Sequence, residues 1–273
     1  MTQRVALIGR PLRRRHSEVM HNAAFHRYEV DAKYELRELA PSELSGFIVE
    51  VHDPGWLGFQ VTAPYKQAVM EHLDEIEPDA QAIGAVNSGT RREDGVLVGF
   101  NTDAPGFRRA VEEELGVRFS GITAVVVGAG GAARAVVHAL VSGGALEVIV
   151  GNRTVSHARD LAGDFGDPVT GMGMDAGFEE WLGRAALAVN ATTVGMASSG
   201  PPFDVGALPV SAVVFDLIYT PAESELLRRA RARGLRAANG LGMLVAQAAI
   251  AFERWTGIPD AAPVMRTALA PLG

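Results

Sequence analysis

The sequence predicts an α/β protein with mainly parallel sheets, arranged in two domains. Short apolar runs rich in β-branched residues alternate with helical patterns along the chain, which is typical of parallel strands covered by helices. A glycine-rich turn joins one of these runs to the following helix near the middle of the chain. With 273 residues, of which 48% are hydrophobic, the chain is long enough to bury two cores.

Composition argues against several classes of function. The net charge of −7 disfavours nucleic acid or an anionic membrane as the main partner. The chain has no cysteine, which excludes disulfides and thiolate catalysis, and we expect no metal site. No apolar run is long enough to span a bilayer, and the apolar core of the first residues is too short for a secretion signal. We therefore expect a cytoplasmic protein without a membrane partner.

The N-terminal part of the chain contains the elements of one α/β domain. Pro11 keeps the segment after the first strand in a loop, and Ser17 is the expected cap of the helix that follows. Thr102 and Asp103 cap a helix that reaches Leu115. The predicted strands cover 5–8, 34–39, 57–61 and 96–100, and the predicted helices cover 19–28, 41–51, 65–73 and 103–115, with a short helix and turn in 80–87.

The stretch 122–154 reads as strand, glycine turn, helix and strand. An apolar run at 122–127 leads into Gly128, which allows a tight turn, and Gly130, which lets the backbone approach a pyrophosphate closely. The helix at 132–141 then directs its N-terminal amides and the positive end of its dipole at the phosphates. This context predicts a Rossmann-type dinucleotide-binding domain, although a purely structural glycine turn is the alternative.

The end of the second strand of this unit, 146–150, indicates which dinucleotide binds. An NAD site needs an acidic residue there for the ribose 2′-hydroxyl, and this chain has Asn152, Arg153 and Thr154 instead. A guanidinium pairs well with a 2′-phosphate, whereas a carboxylate would repel one. We therefore expect NADP, with a solvated loop arginine as the alternative interpretation of Arg153.

The remaining elements suggest that the chain returns to its first domain. Strands are predicted at 186–189 and 212–216, and helices at 223–233, 243–255 and 262–269. We expect the last two helices to pack on the N-terminal elements. The predicted division is a substrate and catalytic domain, 1–103 plus 240–273, and an NADP-binding domain, 104–239.

Polar side chains at strand ends of the first domain are the candidates for chemistry, since a substrate is expected in a cleft beside the cofactor domain. Lys66 follows one strand, and Asp103 follows another. A lysine and an aspartate placed in this way can relay a proton to or from a hydroxyl that becomes a carbonyl. Taken alone, Lys66 could be a solvated helix residue and Asp103 a helix cap.

Ordered motifs along nearly the full chain add context to these residues. They are the segment 9–22, QVTAPYK at 60–66, GAVNS at 84–88, NTDAPG at 101–106, GAGGAA at 128–133, NRT at 152–154, NATTVGM at 190–196 and MLVAQ at 243–247. In this order and spacing the sequence resembles the shikimate dehydrogenase family. The resemblance implies reversible reduction of a ring ketone by NADPH, with a cyclic hydroxy acid such as 3-dehydroshikimate as the small-molecule partner.

The resemblance also implies roles for individual residues. Lys66 and Asp103 would be the catalytic pair. The residues expected to bind substrate are Arg15, Ser17, Thr62, Asn87, Asn101, Tyr219 and Gln247. The residues expected to bind NADP are Gly128, Ala129, Gly130, Gly131, Ala132, Asn152, Arg153, Thr154, Thr192, Met196, Gly240 and Met243.

The chain departs from the family pattern mainly where the family binds the substrate carboxylate with two serines. Arg15 stands in place of the first serine, and Ser17 is retained. Arg14 and Glu18 replace a histidine and a proline, and Arg13 completes a basic cluster in an acidic protein. Elsewhere, the substitutions are Gln60 for asparagine and Ser88 for threonine. The substrate therefore stays open among shikimate, quinate, an amino-shikimate and another polyol acid.

A second class of function is an NADPH-binding regulator without turnover. The intact Lys66, Asp103 and Asn87 favour an enzyme, because a regulator has no need of a proton relay. We expect a monomer or a homodimer.

Overall fold

The structure, a computed structural model, describes residues 2–12, 14–196 and 200–270. Arg13, part of the basic cluster, lies outside these described residues. The chain divides into two compact units, Met1–Thr102 with Val245–Gly273 and Asp103–Leu244. The first unit differs from the predicted substrate domain at residue 103 and at 240–244, and the functional assignment of the two domains stays a prediction.

Strands and helices alternate along both units. The strands are β1 Gln3–Gly9, β2 Ala32–Glu38, β3 Trp56–Val61, β4 Glu75–Ile76, β5 Ser88–Arg91, β6 Leu97–Phe100, β7 Thr123–Val127, β8 Glu147–Gly151, β9 Val169–Met172, β10 Leu187–Asn190, β11 Val213–Asp216 and β12 Arg236–Asn239. The helices are α1 His16–Arg27, α2 Leu44–Val51, α3 Pro78–Ile83, α4 Asp103–Leu115, α5 Gly131–Ser142, α6 Val155–Phe165, α7 Ala176–Leu182, α8 Glu225–Ala232, α9 Leu241–Thr256 and α10 Ala262–Leu269. None of the helices that the structure describes combines the length and apolar character needed to cross a lipid bilayer.

The sheet of the first unit has the strand order β2-β1-β3-β5-β6-β4. Its pairs are parallel except where β5 runs antiparallel to both β3 and β6. β5 and β6 form a hairpin whose turn contains Asp94 and Gly95, and Gly95 adopts a positive φ of 91°. The predicted elements did not include this hairpin, although an Asp-Gly pair between two short strands is a strong hairpin signal.

The sheet of the second unit has the order β12-β11-β10-β7-β8-β9, with parallel pairs throughout the described ladder. This is a doubly wound order, in which successive strands are added outward in one direction from β7 and in the opposite direction from β10. The four central strands, β7, β8, β10 and β11, are almost entirely buried because helices cover both faces, which explains their nearly continuous apolar sequences. The predicted mainly parallel α/β fold with a Rossmann-type domain is confirmed.

The predicted helix at 65–73 is wrong. Only Ala68–His72 form a helical segment, and it is a 3-10 turn. Tyr65 is buried, with its hydroxyl donating to the carbonyl of Leu39 at 2.6 Å, and the Lys66 carbonyl accepts from the Val86 amide at 2.8 Å. These tertiary contacts divert the backbone from a regular helix. The predicted cap of the first helix is also wrong, since α1 begins after Arg15, and Ser17 lies within the first turn.

His21 is a fully buried histidine in the first unit. Its ring stacks on Tyr34 with the centroids 4.5 Å apart, and the Trp255 ring lies 5.1 Å away. Neither ring nitrogen reaches a hydrogen-bond partner of standard geometry among the described residues. Burial lowers the pKa of His21 from 6.5 to about 3, because desolvation penalises the charged ring, and the nearby Gln60 side chain opposes this shift only in part.

This burial predicts a loss of stability in mild acid. The unfolded chain protonates His21 below about pH 6.5, whereas the folded chain does so only near pH 3. The unfolded state therefore binds more protons in that window, and the free energy of unfolding falls by up to about 1.4 kcal/mol per pH unit as pH drops. A His21→Phe variant keeps a stacked ring without the titration. Thermal unfolding from pH 7.5 to pH 5 should show wild type losing stability relative to this variant, and parallel curves would contradict the prediction.

Candidate active site

Three buried polar side chains, Asn87, Thr102 and Gln247, meet within the first unit. Asn87 lies in the GAVNS turn, Thr102 follows β6, and Gln247 lies on α9. The Thr102 amide donates to Asn87 Oδ1 at 2.8 Å, and Asn87 Nδ2 donates to Thr102 Oγ1 at 3.0 Å. The Thr102 hydroxyl lies 3.3 Å from Gln247 Oε1, to which it can donate. The structure thus brings together Asn87 and Gln247, which lie far apart in sequence, through a threonine to which the sequence analysis gave no binding role.

The predicted substrate residues Asn101 and Thr62 flank this cluster in the chain. Asn101 is buried, and its Nδ2 donates to the Ala85 carbonyl at 2.9 Å, which ties the end of β6 to the GAVNS turn. Thr62 is half-buried directly after β3, and its amide donates to the Ile8 carbonyl at 2.8 Å. These backbone contacts fix the positions of strand-end residues that would otherwise lie on mobile loops.

The predicted catalytic residues occupy different kinds of position. Lys66 is half-buried in the turn after β3, where its carbonyl bond to Val86 holds it beside the GAVNS turn. Asp103 is buried and is the first residue of α4. A carboxylate in the first turn of a helix is stabilised by the helix dipole. Lys66 belongs to the first compact unit and Asp103 to the second.

The loop that carries the departures from the family pattern turns Arg15 outward. The Arg15 side chain is 75% exposed, and its Nε donates to Glu18 Oε2 at 2.6 Å. The Glu18 carboxylate raises the pKa of Arg15. Ser17 is half-buried and lies near the Tyr34 phenol. Two of the departures from the family, Arg15 and Glu18, therefore form a surface ion pair with each other.

The glycine loop of the second unit has the features of a phosphate cradle. Gly128 has a positive φ of 115°, and a Cβ there would lie 2.9 Å from the Thr192 side chain, so a larger residue would push the loop after β10 away. Gly130 precedes α5, and a Cβ built on it meets nothing within 4 Å, which is the open space that a pyrophosphate would use. No side chain caps α5. Its first amides are therefore suited to bind an anion, together with Ala129, Gly131 and Ala132.

The loop after β8 presents Arg153 to solvent. Within the described ranges its side chain is exposed and has no hydrogen bond or ion pair. Asn152 Nδ2 donates to the Thr154 carbonyl at 2.9 Å, which shapes the turn, and Thr154 precedes α6. The exposed guanidinium thus projects from an ordered turn next to the start of a helix, and this arrangement fits a 2′-phosphate.

A buried polar network connects the ends of β10 and β11. Asn190 Oδ1 accepts from the amide and the hydroxyl of Thr192, at 3.0 and 2.7 Å, and Asn190 Nδ2 donates to Asp216 Oδ1 at 2.9 Å. The Ser224 hydroxyl donates to Asp216 Oδ2 at 2.5 Å. Burial raises the pKa of Asp216, and the hydrogen bonds from Ser224, Ile218 and Asn190 oppose this shift. Asp216 and Ser224 were missed, although an aspartate ending an apolar strand was the available signal.

The other predicted binding residues of the second unit lie in the loops after β10 and β11 and at the start of α9. The half-buried Tyr219 follows β11, and the Met196 side chain, 39% exposed, follows Thr192 in the loop after β10. Gly240 precedes α9, and a Cβ there would lie 2.1 Å from the Leu217 carbonyl oxygen, so only glycine permits this approach. Met243 is buried in the first turn of α9.

Known proteins resemble this chain along nearly its whole length. Residues 7–88 match the shikimate dehydrogenase substrate binding domain, residues 109–193 match the shikimate/quinate 5-dehydrogenase model, and residues 240–270 match the shikimate 5′-dehydrogenase C-terminal domain. A relative from Symbiobacterium thermophilum, named shikimate dehydrogenase (NADP(+)), is 44% identical over 97% of this chain and 92% of its own length. The chain belongs to the shikimate dehydrogenase family.

Solved structures of family members have the same fold. Shikimate 5-dehydrogenase from Thermus thermophilus, in complex with NADP(H) and shikimate, has a TM-score of 0.86 and 39% identity, covering 98% of this chain and 100% of that one. Quinate dehydrogenase from Corynebacterium glutamicum, in complex with NAD, has a TM-score of 0.90 and 34% identity, covering 98% and 99%. The family expected from the ordered motifs is confirmed.

Proposed function

We propose that this member of the shikimate dehydrogenase family is an NADP-dependent oxidoreductase acting on a CH–OH group. Its reaction is the reversible reduction of a ring ketone of 3-dehydroshikimate or a closely related hydroxylated cyclic carboxylate. The observation that carries the proposal is the buried cluster of Asn87, Thr102 and Gln247, whose amide and hydroxyl groups suit a ring bearing several hydroxyls. The same chain has a complete dinucleotide unit, and its relative from Symbiobacterium thermophilum is named for NADP(+).

The chain's own residues account for cofactor binding. The amides at the start of α5 would hold the pyrophosphate, and Arg153 would pair with the 2′-phosphate. When bound, NADP(H) supplies or accepts the hydride at the ring carbon. Thr192, held in place by Asn190, would lie along the cofactor with Met196 and Met243.

Lys66 and Asp103 would manage the proton. Interconversion of a ketone and an alcohol moves a proton at the same oxygen that gains or loses carbonyl character. One of the two residues would hold that proton, and the other would orient its partner. A charged Lys66 would also stabilise negative charge that develops on the oxygen. Asn87 and Gln247 would orient the ring so that the reacting carbon faces the cofactor.

The alternatives from the sequence remain proposals of lower rank. Quinate, an amino-shikimate or another polyol acid would use the same groups. The similarity to quinate dehydrogenase from Corynebacterium glutamicum supports quinate as one of these alternatives. A regulator without turnover has less support, because Asn87 and Asp103 are buried and ordered in the manner of binding groups. The cytoplasmic location, the monomer or homodimer and the exclusion of nucleic acid stay predictions.

A substrate panel tests the proposal directly. Purified protein is mixed with NADP⁺ or NAD⁺ and with shikimate, quinate or an amino-shikimate, and reduction of the cofactor is followed optically. Turnover of shikimate with NADP⁺ supports the main proposal, and turnover of quinate alone supports the alternative. No turnover with any member of the panel, from a protein that still binds NADPH, would favour the regulator.

Replacing Arg153 should reduce the preference for NADP over NAD. A charge-assisted bond to phosphate is worth about 1.5–3 kcal/mol, which corresponds to about ten- to a hundredfold in affinity. Arg153→Ala should raise the KM for NADP⁺ by such a factor and leave the KM for NAD⁺ nearly unchanged. Arg159→Ala, which removes an exposed arginine from α6, is the matched control. Equal efficiency of wild type with the two cofactors would contradict the assignment.

Replacing either member of the proton relay should lower turnover without abolishing cofactor binding. General acid–base groups typically contribute about a hundredfold or more, so Lys66→Ala and Asp103→Asn should reduce kcat by at least that factor. Lys33→Ala removes an exposed lysine from β2 and should have no such effect. Binding of NADPH, measured by fluorescence titration, should be retained in each variant. Normal turnover of Lys66→Ala would refute this mechanism.

Replacing Arg15 tests how the chain binds the substrate carboxylate. Arg15 is turned outward, so Ser17 is the remaining family serine, and we expect a high KM for shikimate. Arg15→Ser adds a neutral donor worth about 0.5–1.5 kcal/mol, which would lower this KM by up to about tenfold. The kcat should change little, since the carboxylate is remote from the reacting carbon. Arg27→Ser, at the other end of α1, is the control, and an unimproved KM in Arg15→Ser would disprove the idea.

A further inference from the structure

Asp216 is a fully buried carboxylate at the end of β11 to which the proposed function gives no role. Its Oδ1 accepts from Asn190 Nδ2 at 2.9 Å and from the Ile218 amide at 3.1 Å, and its Oδ2 accepts from the Ser224 hydroxyl at 2.5 Å. A carboxylate removed from water needs such donors, because burying an unpaired charge is costly. The donors come from the end of β10, the loop after β11 and the residue before α8, so Asp216 connects three segments of the second unit.

Asp216 determines which way the Asn190 carboxamide faces. An ionised carboxylate can only accept hydrogen bonds, so the NH₂ group of Asn190 has to face Asp216. The Asn190 oxygen is the other half of the same amide, and it accepts from the backbone amide of Thr192 at 3.0 Å and from the Thr192 hydroxyl at 2.7 Å. A reversed amide would place donor against donor at Thr192 and acceptor against acceptor at Asp216. The partners of Asn190 therefore permit a single orientation.

Asn190 in this orientation shapes the loop after β10, residues 191–194. Its Nδ2 also donates to the Val194 carbonyl at 3.1 Å, and the Thr192 hydroxyl accepts from the Val194 amide at 3.1 Å. The loop is thus closed around the Asn190 side chain. A Cβ built on Gly128 would lie 2.9 Å from the Thr192 methyl group, so the loop packs directly against the glycine turn.

The strand order places this loop beside the nicotinamide half of the proposed cofactor. The glycine turn follows β7, and Arg153, proposed for the 2′-phosphate, follows β8 on one side of β7. A dinucleotide with its pyrophosphate at the turn and its adenosine at β8 has to extend its other half towards β10, on the opposite side of β7. β7 and β10 are also the neighbouring strands from which the order runs outward in opposite directions, and ligands of open α/β sheets bind at such a point.

We propose that Asp216 is a positioning residue for the cofactor, which holds the loop after β10 in place through Asn190, and that Ser224 holds Asp216 in turn. This inference rests on the proposed function, since it concerns the same NADP site. It assigns the effect of Asp216 to the nicotinamide half of the cofactor, which NADP and NAD share. Arg153 acts on the adenosine half and on the choice between the two.

Direct binding of NADPH and NADH tests the inference without requiring turnover. Each nucleotide is titrated by its fluorescence into wild type and into Asp216→Ala. Adenosine 2′,5′-bisphosphate, which has the 2′-phosphate and lacks the nicotinamide half, is measured as a competitor of NADPH. We expect Asp216→Ala to raise the Kd of NADPH and of NADH by the same factor, up to about tenfold, the value of a lost neutral hydrogen bond such as that between Asn190 and Thr192. The Kd of the bisphosphate should be unchanged.

Two exchanges establish that Asp216 acts through Asn190. In Asp216→Asn the new oxygen can still accept from Asn190 and Ile218 while the new nitrogen donates to the Ser224 oxygen, so the orientation of Asn190 is kept at some cost in stability. The affinity for both dinucleotides should therefore return nearly to that of wild type. In an Asn190→Ala background, Asp216→Ala should have almost no further effect on these affinities.

A milder variant and a matched control separate positioning from folding defects. Ser224→Ala removes one donor to Asp216 and leaves the carboxylate, so it should raise both dinucleotide Kd values by a smaller factor. Thermal unfolding identifies any variant that does not fold, and Ser224→Ala then decides in place of Asp216→Ala. Asp204→Ala removes an exposed cap from the 3-10 turn Val205–Ala207, which precedes β11 and not its carboxyl end, and it should leave all affinities unchanged.

The outcomes distinguish the inference from the function on which it rests. Equal rises in the Kd of both dinucleotides, with an unchanged Kd of the bisphosphate and recovery in Asp216→Asn, support the inference. Unchanged affinities of a folded Asp216→Ala, an equal loss for the bisphosphate, a full loss in Asp216→Asn or additive effects with Asn190→Ala overturn it and leave the proposed function intact. A wild-type protein that binds NADPH but oxidises no member of the substrate panel overturns the proposed oxidoreductase alone, and one that binds neither dinucleotide overturns both.

Discussion

The requirement that buried polar groups keep their hydrogen bonds organises both units of this protein. Asn101 follows β6, Asn190 and Asp216 end β10 and β11, and Asn87 directly precedes β5; all four side chains are removed from water. Leaving any of these groups unpaired would cost about 1–3 kcal/mol, a large fraction of the stability of an ordinary domain. Each group is instead bonded to a neighbouring strand end or loop. The same bonds that satisfy these groups hold the loops that bear the proposed site residues.

The two units meet this requirement in different ways. In the second unit a carboxylate, Asp216, collects donors from two directions and thereby ties the loops after β10 and β11 to the start of α8. In the first unit neutral amides and hydroxyls form a chain in which each donor faces an acceptor, from Tyr34 through Gln60 to Gln247. Neutral groups suit the proposed site for ring hydroxyls, because uncharged hydroxyls are recognised by the direction of their hydrogen bonds.

Two departures from the family pattern, in and just after the loop before α1, are accommodated at the protein surface. Arg15 and Glu18 pair with each other, and an exposed pair of this kind contributes about 0–1 kcal/mol to stability. The pair has little reason to be retained for stability alone. We propose that its effect is on the substrate side, since it takes Arg15 out of the position at which the family has a serine. The departures at Gln60 and Ser88 are of the opposite kind, because both side chains are buried and directly paired.

The sequence by itself determined the features that depend on neighbours in the chain. A strand followed by Gly128, Gly130 and a helix can be recognised locally, since the turn, the close approach and the helix start all lie within a few residues. The end of β8 and its Arg153 were placed for the same reason, and ordered motifs identified the family. Local signals were also sufficient for the Asp94-Gly95 hairpin, which was not among the predicted elements.

Only the tertiary structure decided the features that depend on partners distant in sequence. The predicted helix at 65–73 failed because the Lys66 carbonyl bonds to Val86 and the Tyr65 hydroxyl to Leu39. The orientation of Gln247 depends on Gln60, 187 positions away, because an amide can face either way until a donor fixes its oxygen. The types of these residues and their spacing can be read from the sequence. The direction of each hydrogen bond is set only when the strands and helices have packed.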